Sequence, residues 1–220
     1  MVKRAAENHL VFLIVIVFIM LFVGGCSSTY YSAMEKVGKH KRDIMVDRVE
    51  DARDSQAEAQ EQFKSALERF NAVVKLQETD LKKAYDSLNR EYEKSEGAAD
   101  EVSSRIEKVE SVAEDLFAEW QDELEQYQNR ELRRSSKEKL KKTQKSYKEM
   151  LAGMHQAEAG MEPVLKIFRD NVLFLKHNLN AQAIGSLQGE FANLKGEIDV
   201  LVKKMNASIE SSNRFITDIR

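Results

Sequence analysis

The sequence contains one cysteine, Cys26, and one proline, Pro163, among 220 residues. A single cysteine excludes an intramolecular disulfide, even in an oxidising compartment. Proline interrupts helices and is almost absent, and no stretch shows the alternation of apolar and polar residues that is typical of strands. Glu, Lys, Ala, Leu, Ser and Gln dominate instead, and this composition is typical of long helices. The sequence therefore predicts an all-α fold without cross-links.

Motifs that carry enzymatic chemistry are missing as well. Gly38-Lys39 lacks the upstream glycine and the following Ser or Thr of a phosphate-binding loop. The chain has no HExxH zinc motif, no paired Glu-x-x-His motifs of the di-iron type and no GxSxG nucleophile motif. We therefore predict no catalytic residue, no cofactor and no metal site, and a protein that is not an enzyme.

One group of soft side chains leaves an alternative open. Met150, Met154, His155 and Met161 lie close together in the sequence. Thioether and imidazole groups are suitable copper ligands. Methionines at helical spacing more often fill a hydrophobic core, and that is the interpretation we prefer.

The chain also lacks a basic surplus, because its formal net charge is −3 while 32 % of its residues are charged. Proteins that bind nucleic acid usually carry an excess of Lys and Arg. We therefore expect no nucleic-acid partner.

The first 26 residues combine the features of an exported lipoprotein. Two basic residues precede an apolar run over 10–23, and two glycines stand directly before Cys26. A basic start, a short apolar stretch and small residues make a secretory signal, and the cysteine completes a lipobox over 23–26. We predict a signal peptide over 1–25, a diacylglycerol with its palmitate-type acyl chains on Cys26, and a lipidated N-terminus and linker over 26–32.

The length of the apolar run leaves one alternative open. Its 14 residues would form a helix of about 21 Å, whereas a bilayer core is about 30 Å thick. An uncleaved membrane helix is therefore the second interpretation. Ser27 rather than aspartate follows the cysteine, which resembles the outer-membrane lipoproteins of enteric-type bacteria. That resemblance implies a lipid anchor on the periplasmic face of the outer membrane.

Three long stretches repeat apolar or small residues at alternating steps of three and four, as in the seam of a coiled coil. Gln56 in the first stretch and Ser208 in the third occupy seam positions. Gly97 and residues 160–163 are the predicted turns, and proline fits the first turn of the helix that follows.

The stretches between these turns have nearly equal lengths. The predicted helices span residues 33–96, 100–159 and 163–219, within a bundle domain over 33–220. Equal lengths and short turns favour antiparallel neighbours. We therefore predict an elongated antiparallel three-helix bundle or coiled coil.

The second predicted helix contains a gap in its seam. Between Gln128 and Lys139 only Leu132 is apolar. Ser135 and Glu138 have the spacing of a capping box, which would start a new helix there. The period survives the gap, so we predict a continuous helix.

Residues 129–148 form a basic run with nine Lys or Arg against two Glu. A turn at Gly97 would place the run opposite the acidic residues 47–66, so internal charge pairing is our first interpretation. The alternative is a site for phospholipid, lipid A or another anionic polymer. Its predicted residues are Arg130, Arg133, Arg134, Lys137, Lys141 and Lys142.

Two stretches of the chain carry a family resemblance. The first is CSSTYYSAMEKVGKHKRDIMVDRV, at 26–49, and the second combines FLKHNLNA at 174–181 with SLQGE at 186–190. They are similar to a proteobacterial family of uncharacterised lipoproteins, which carries a domain-of-unknown-function label. The resemblance covers essentially the whole chain after the cysteine and implies an envelope location and a helical coiled-coil architecture. Some members are called DNA-repair ATPases, although this chain lacks an ATP-binding loop.

Both stretches are predicted to meet at the membrane end of the bundle. In a three-helix bundle the third helix runs beside the first, which would bring the second stretch close to Asp47. We therefore predict an interaction surface with contributions from both stretches: Lys39, His40, Arg42, Lys176 and His177.

Taken as a whole, the sequence predicts a non-enzymatic envelope lipoprotein. It would act as a structural spacer, scaffold or adaptor for an envelope protein and be held at the membrane by its lipid. The alternative is a module that binds lipid or a polyanion through Arg130–Lys148. Exposed seam positions leave a homo-oligomer open.

Overall fold

The computed structural model describes residues 40–75, 81–178 and 181–220. Helices account for 94 % of these residues and no strand occurs among them, which confirms the all-α class and the helical bundle. The helices are α1 (Lys41–Val74), α2 (Leu81–Leu124), α3 (Arg130–Ala159), α4 (Met161–His177) and α5 (Ala181–Ile219). Residues Ile44–Arg220 form one compact unit, and Met1–Asp43 belong to another.

Helix α1 packs antiparallel to both α2 and α5. Gln62 Nε2 donates to Glu91 Oε2 of α2 at 3.0 Å, and Asp51, three turns earlier on α1, pairs with the later α2 residue Arg105 at 3.2 Å. On the other side, Gln60 Nε2 donates to Asn206 Oδ1 of α5 at 2.9 Å. Because residue numbers rise on one helix as they fall on its partner, the helices run in opposite directions.

Helices α3 and α4 together form one long segment beside α2. Its contacts with α2 move steadily along the chain, from Phe117 with Tyr147, through Glu110 with His155, to Tyr92 with Phe168. This steady progression shows that α4 continues the direction of α3. With these two helices counted as one segment, the arrangement is an antiparallel four-helix bundle.

The core of the bundle is made of aliphatic and aromatic side chains from all five helices. Phe63, Phe70, Phe168 and Phe215 are at most 2 % exposed. The rings of Phe70 on α1 and Phe168 on α4 meet edge to face at 6.1 Å, across the middle of the bundle. Burying a side chain of this size contributes about 1.5–3 kcal/mol, so the seam positions supply the stability of the fold.

The first predicted turn is wrong. Helix α1 ends at Val74, and α2 runs unbroken from Leu81 through Gly97. A glycine inside a helix costs about 1 kcal/mol and does not by itself end it. The buried neighbours Ser95 and Ala99 keep the helix packed on both sides of the glycine. The predicted helix over 33–96 is therefore two antiparallel helices.

The predicted helix over 100–159 is also two helices. Residues 125–129 separate α2 from α3, and Asn129 caps α3 by accepting hydrogen bonds from the backbone N–H groups of Glu131 (2.9 Å) and Leu132 (3.2 Å). An asparagine at this position satisfies donors that have no partner within the helix. The capping box at Ser135 does not form, because Ser135 lies inside α3, and Glu138 pairs with Arg134 at 3.0 Å.

The predicted turn at residues 160–163 is a helix interruption and not a reversal. Gly160 keeps a right-handed helical conformation, with φ −74° and ψ −16°, and its N–H donates to Ala157 O at 3.1 Å. Pro163 has no N–H to donate to Ala159 O, and its ring crowds that carbonyl. These two effects tighten the helix for one turn and leave its direction unchanged.

Among residues 40–75, 81–178 and 181–220, none of the helices has the length and apolar character needed to cross a bilayer. Cys26, the signal peptide, the linker and the first residues of the predicted bundle domain lie outside these ranges.

Candidate functional site

The turn between α2 and α3 lies at one end of the bundle, beyond the ends of the other helices. Asp51 lies level with Arg105, so Ile44 of α1 lies level with Val112 of α2. The twelve residues of α2 that follow Val112 therefore extend about 18 Å past Ile44. We call α2 after Val112, the turn and the first half of α3 the hairpin end.

Contacts between its two helices hold the hairpin end together. Trp120 Nε1 donates to Ser136 Oγ at 2.8 Å, and Arg133 forms a salt bridge with Glu125. Leu124 and Leu140 are almost fully buried. The hydrogen bond and the two leucines therefore join the end of α2 to the first half of α3.

The hairpin end also exposes two large apolar side chains that the sequence analysis did not assign to a site. Tyr127 in the turn is 39 % exposed, and Leu132 in the first turn of α3 is 57 % exposed. The gap in the second seam was the sequence feature that could have indicated these exposed side chains. An isolated leucine in a polar stretch has no opposite helix to cover it.

The basic run lies on α3 and faces solvent. Arg133 is half-buried. The other eight basic side chains are exposed: Arg130, Arg134, Lys137, Lys139, Lys141, Lys142, Lys145 and Lys148. The candidate polyanion-binding residues therefore all lie on one helix, at one end of the molecule.

Six of the nine basic residues of the run lie along one side of α3. A helix turns about 100° per residue, so positions separated by alternating steps of four and three share one side. We call this line the basic stripe: Arg130, Arg134, Lys137, Lys141, Lys145 and Lys148. Ser136, which contacts α2, lies about 130° around the helix from the middle of the stripe. The stripe therefore faces away from α2 and is about 27 Å long.

The predicted pairing of the basic run with residues 47–66 of α1 is wrong. Asp51 pairs with Arg105 of α2 at 3.2 Å, and Glu50 pairs with Arg220 at 2.6 Å. The reason is the position of the turn, because the hairpin at residues 125–129 places the basic run beside the end of α2 instead of α1.

Few basic residues of the run have a carboxylate partner. Arg133 pairs with Glu125 of the turn, Arg134 pairs with Glu138, and Lys145 lies 3.8 Å from Glu149. No ion pair to the described part of the chain is found for the other six: Arg130, Lys137, Lys139, Lys141, Lys142 and Lys148. The internal-pairing interpretation therefore accounts for a minority of the charge.

The two stretches of the predicted interaction surface belong to different helices. His40 and Arg42 lie at the start of α1, whereas Lys176 and His177 lie at the end of α4. Helix α5 follows α4, and its Gln188 donates to Val74 O at the far end of α1. Asp47 lies 27 residues before Val74, which is about 40 Å along the helix. The expectation that His177 lies near Asp47 is wrong, and Lys39 is outside the described residues.

The methionines proposed as copper ligands belong to the core. Met150, Met154 and Met161 are at most 2 % exposed, and Met154 lies among apolar seam residues. His155 lies outside the core between two carboxylates, at 2.9 Å from Glu158 and 3.2 Å from Glu110 of α2. The hydrogen bond to Glu158, and next that to Glu110, raises the pKa of His155. Its imidazole therefore links α2 to α3 most strongly when protonated.

No potential metal centre is found in the described part of the chain, where no three His, Cys, Asp or Glu residues lie in a suitable group. The phenol of Tyr147, packed against the rings of Phe117 and Phe215, has its pKa raised to about 12 by burial. It remains neutral at physiological pH, so it serves as part of the packing.

The core of the bundle contains two polar side chains without partners. Gln56 and Ser208 are fully buried, and neither the Gln56 amide nor the Ser208 hydroxyl hydrogen-bonds to a described residue. Gln60 bonds to Asn206 and Arg53 bonds to Asn213, so Gln56 and Ser208 lie at the same level of the α1–α5 contact.

The fold and this site define a class: an antiparallel all-α bundle with a protruding basic hairpin. The chain belongs to the family described as Protein of unknown function (DUF2959), which matches residues 30–219. No curated protein and no solved structure was found to match the chain. The family assignment agrees with the resemblance to a domain of unknown function, and it assigns no activity.

Proposed function

We propose that the protein is a non-enzymatic envelope lipoprotein that acts as a spacer, scaffold or adaptor on the periplasmic face of the outer membrane. The observation that carries this proposal is the lipobox pattern ending at Cys26, followed by a bundle of long helices. The proteobacterial lipoprotein resemblance supports it.

The dimensions of the bundle suit a spacer. Helix α2 alone has 44 residues and is about 66 Å long. Its buried residues recur from Ala84 to Leu124, and α3 and α4 pack against it, which supports the helix along its length. A stiff bundle tied to a lipid holds its far end at a defined distance from the membrane surface.

A lipidated Cys26 would be sufficient to hold the protein stably at a membrane. A single acyl chain binds membranes weakly, whereas two or more give lasting attachment. A diacylated cysteine, with or without an acylated amine, meets this condition. The partner would be an envelope protein bound along the bundle, and the alternative partner is a second copy of the chain.

A second candidate function is the binding of lipid or a polyanion through Arg130–Lys148. It is supported by the ion pairs of α1, because Asp51 and Glu50, which were expected to neutralise this run, pair with Arg105 and Arg220. Six of its nine basic side chains remain unpaired within the described residues.

The anchor is tested by Cys26→Ser in cells that make the full chain. We expect the variant to lose metabolic labelling with a palmitate analogue and to leave the outer-membrane fraction. The wild type should accumulate as an unprocessed precursor when the lipoprotein signal peptidase is inhibited with globomycin.

Ser28→Ala is the matched control, since it removes a neighbouring hydroxyl and keeps the thiol. It should be labelled and fractionate like the wild type. Unchanged labelling and fractionation of Cys26→Ser would overturn the lipid anchor and, with it, the proposed function.

A further inference from the structure

We propose that the basic stripe of α3 binds the anionic headgroups of the membrane to which the chain is anchored. The ligand is a bilayer surface that carries phosphate, and the site is the solvent-facing side of α3. This inference deepens the second candidate function, and it rests on the membrane anchor proposed above.

The charge of the stripe is the first argument. Arg130, Lys137, Lys141 and Lys148 have no ion pair with any described residue, and all four are exposed. Two stripe residues have partners, Arg134 and Lys145, and each pairs only with an exposed carboxylate of the same helix. The side chains of Arg134 and Lys145 are themselves 82 % and 80 % exposed. Such pairs are weak and exchange readily for another anion.

The shape of the stripe is the second argument. Six cations on one side of one straight helix, over about 27 Å, form a linear array on a convex surface. Such an array suits a flat layer of headgroups, whereas a small anion needs convergent donors in a concave site. Tyr127, in the turn directly before the stripe, is partly exposed, and tyrosine favours the boundary between water and lipid.

The position of the stripe is the third argument. Ile44 lies level with Val112 of α2 and hence with a point on α3 near Ala152, because His155 contacts Glu110. Every stripe residue lies beyond that level, by about 6 Å at Lys148 and more toward Arg130. Ile44, the first residue of the compact unit that forms the bundle, therefore lies on the same side of the bundle's middle as the stripe.

The length of the chain allows the contact. Fourteen residues lie between Cys26 and Lys41, where α1 begins, and a chain of that length can extend to about 50 Å. The tether is therefore longer than the distance by which the stripe extends past Ile44. A lipid at Cys26 keeps the stripe near headgroups at high local concentration, so weak individual contacts are sufficient.

The experiment uses the only tryptophan, Trp120, as a built-in reporter in the hairpin end. The full chain is reconstituted in vesicles with a trace of dansyl-headgroup lipid, either zwitterionic or with a third of the lipid as phosphatidylglycerol. Energy transfer from Trp120 to dansyl, normalised to bound protein, reports how close the hairpin end comes to the surface. We expect higher transfer on the anionic vesicles, and we expect salt to reduce it.

The test variant is Lys137→Gln, Lys141→Gln and Lys148→Gln, which removes three unpaired charges of the stripe. The matched control is Lys108→Gln, Lys166→Gln and Lys203→Gln, which removes three exposed charges elsewhere on the bundle. Each lysine removed near an anionic surface weakens attraction by about fivefold. We expect the test variant to fall to the transfer seen on zwitterionic vesicles and the control to match the wild type. Equal thermal melts exclude a folding defect.

Three outcomes would overturn the proposal: equal transfer on both kinds of vesicle, an equal loss in both variants, or no response to salt. A chain that binds soluble polyphosphate through the stripe but shows no difference between the vesicles would identify a polyanion as ligand and reject the bilayer. Failure of the lipid anchor is distinguishable, since it lowers the bound amount of every variant and leaves the transfer per bound chain unchanged.

Discussion

At the scale of single residues, the seam of the bundle contains polar positions whose cost can be measured. Gln56 is fully buried in α1, and both its Nε2 and Oε1 lack a partner among the described residues. Gln60, one turn later, donates to Val202 O at 3.3 Å and to Asn206 Oδ1 at 2.9 Å. These two glutamines of α1 therefore differ mainly in hydrogen bonding.

Gln56→Met should stabilise the bundle. A buried polar group without a partner costs about 1–3 kcal/mol, and methionine fills a similar volume without that cost. We expect the free energy of unfolding in urea to rise by about 1–2 kcal/mol. Gln60→Met is the control and should lower it by about 1 kcal/mol, because the hydrogen bonds of Gln60 to Val202, Asn206 and Lys64 are lost. If Gln56→Met lowers stability as much as Gln60→Met, the Gln56 amide is hydrogen-bonded in solution.

Sequence reasoning placed Gln56 and Ser208 on the seam correctly, because burial in a coiled coil follows the seven-residue period. It did not predict that they lie at one level of the bundle without partners. That depends on the pairing of α1 with α5, two helices more than a hundred residues apart in the sequence.

At the scale of helices, glycine was a misleading signal for turns. A carbon added at Gly97 would meet no atom within 4 Å, so this residue has an exposed position inside α2. A carbon added at Gly160 would lie 3.2 Å from Ala157 O and 3.2 Å from Leu201 Cδ1 of α5. The first glycine is an ordinary helix residue, and the second allows α5 to approach closely.

Gly97→Ala therefore distinguishes the observed continuous helix from the predicted turn. In an exposed helix interior, alanine is favoured over glycine by about 1 kcal/mol. We expect Gly97→Ala to raise the unfolding free energy by about that amount, measured by circular dichroism in urea. Gly160→Ala is the comparison and should give no gain, because its methyl group crowds α5. A loss of stability in Gly97→Ala would contradict a continuous α2.

The true reversal between α2 and α3 had a weak signal in the sequence. The apolar seam fades from residue 128 to residue 139, and Asn129 is a favourable N-cap residue. Ser135 offered a competing start with its capping-box spacing. Local sequence alone does not rank the two, because each satisfies the same number of backbone donors.

At the scale of the whole molecule, the positions at which the chain reverses determine where the charged residues lie, and these positions differ from the predicted ones. Within the described residues, the chain direction reverses between α1 and α2, between α2 and α3 and between α4 and α5, in place of the two predicted turns. As a result the basic run lies beside α2, and Lys176 and His177 lie at the opposite end from Asp47. The three-helix arrangement would have neutralised the stripe and joined the two family-like stretches.

A designed disulfide tests this topology directly. The carbon added at Gly153 of α3 would stand 4.0 Å from Ser208 Cβ of α5, which is within the range for a disulfide. In a Cys26→Ser background, Gly153→Cys with Ser208→Cys should oxidise readily and raise the melting temperature. Closing a loop of this length stabilises by about 4 kcal/mol at most in the loop-entropy model.

The control pair is Gly153→Cys with Gly196→Cys, in which the second cysteine lies about 18 Å further along α5. It should form no intramolecular bond on non-reducing gels and by mass spectrometry. Oxidation of the control pair with failure of the first would refute the observed pairing of α3 with α5.

The sequence by itself determined the helical class and the seam positions, because helix propensity and the period of burial are local properties of the chain. It also indicated the basic run as a set of residues. Only the tertiary structure decided where the chain reverses, which helices meet and which cations lack a carboxylate. Those outcomes depend on the relative free energies of alternative packings of nearly equivalent seams, and no short stretch of residues contains that difference.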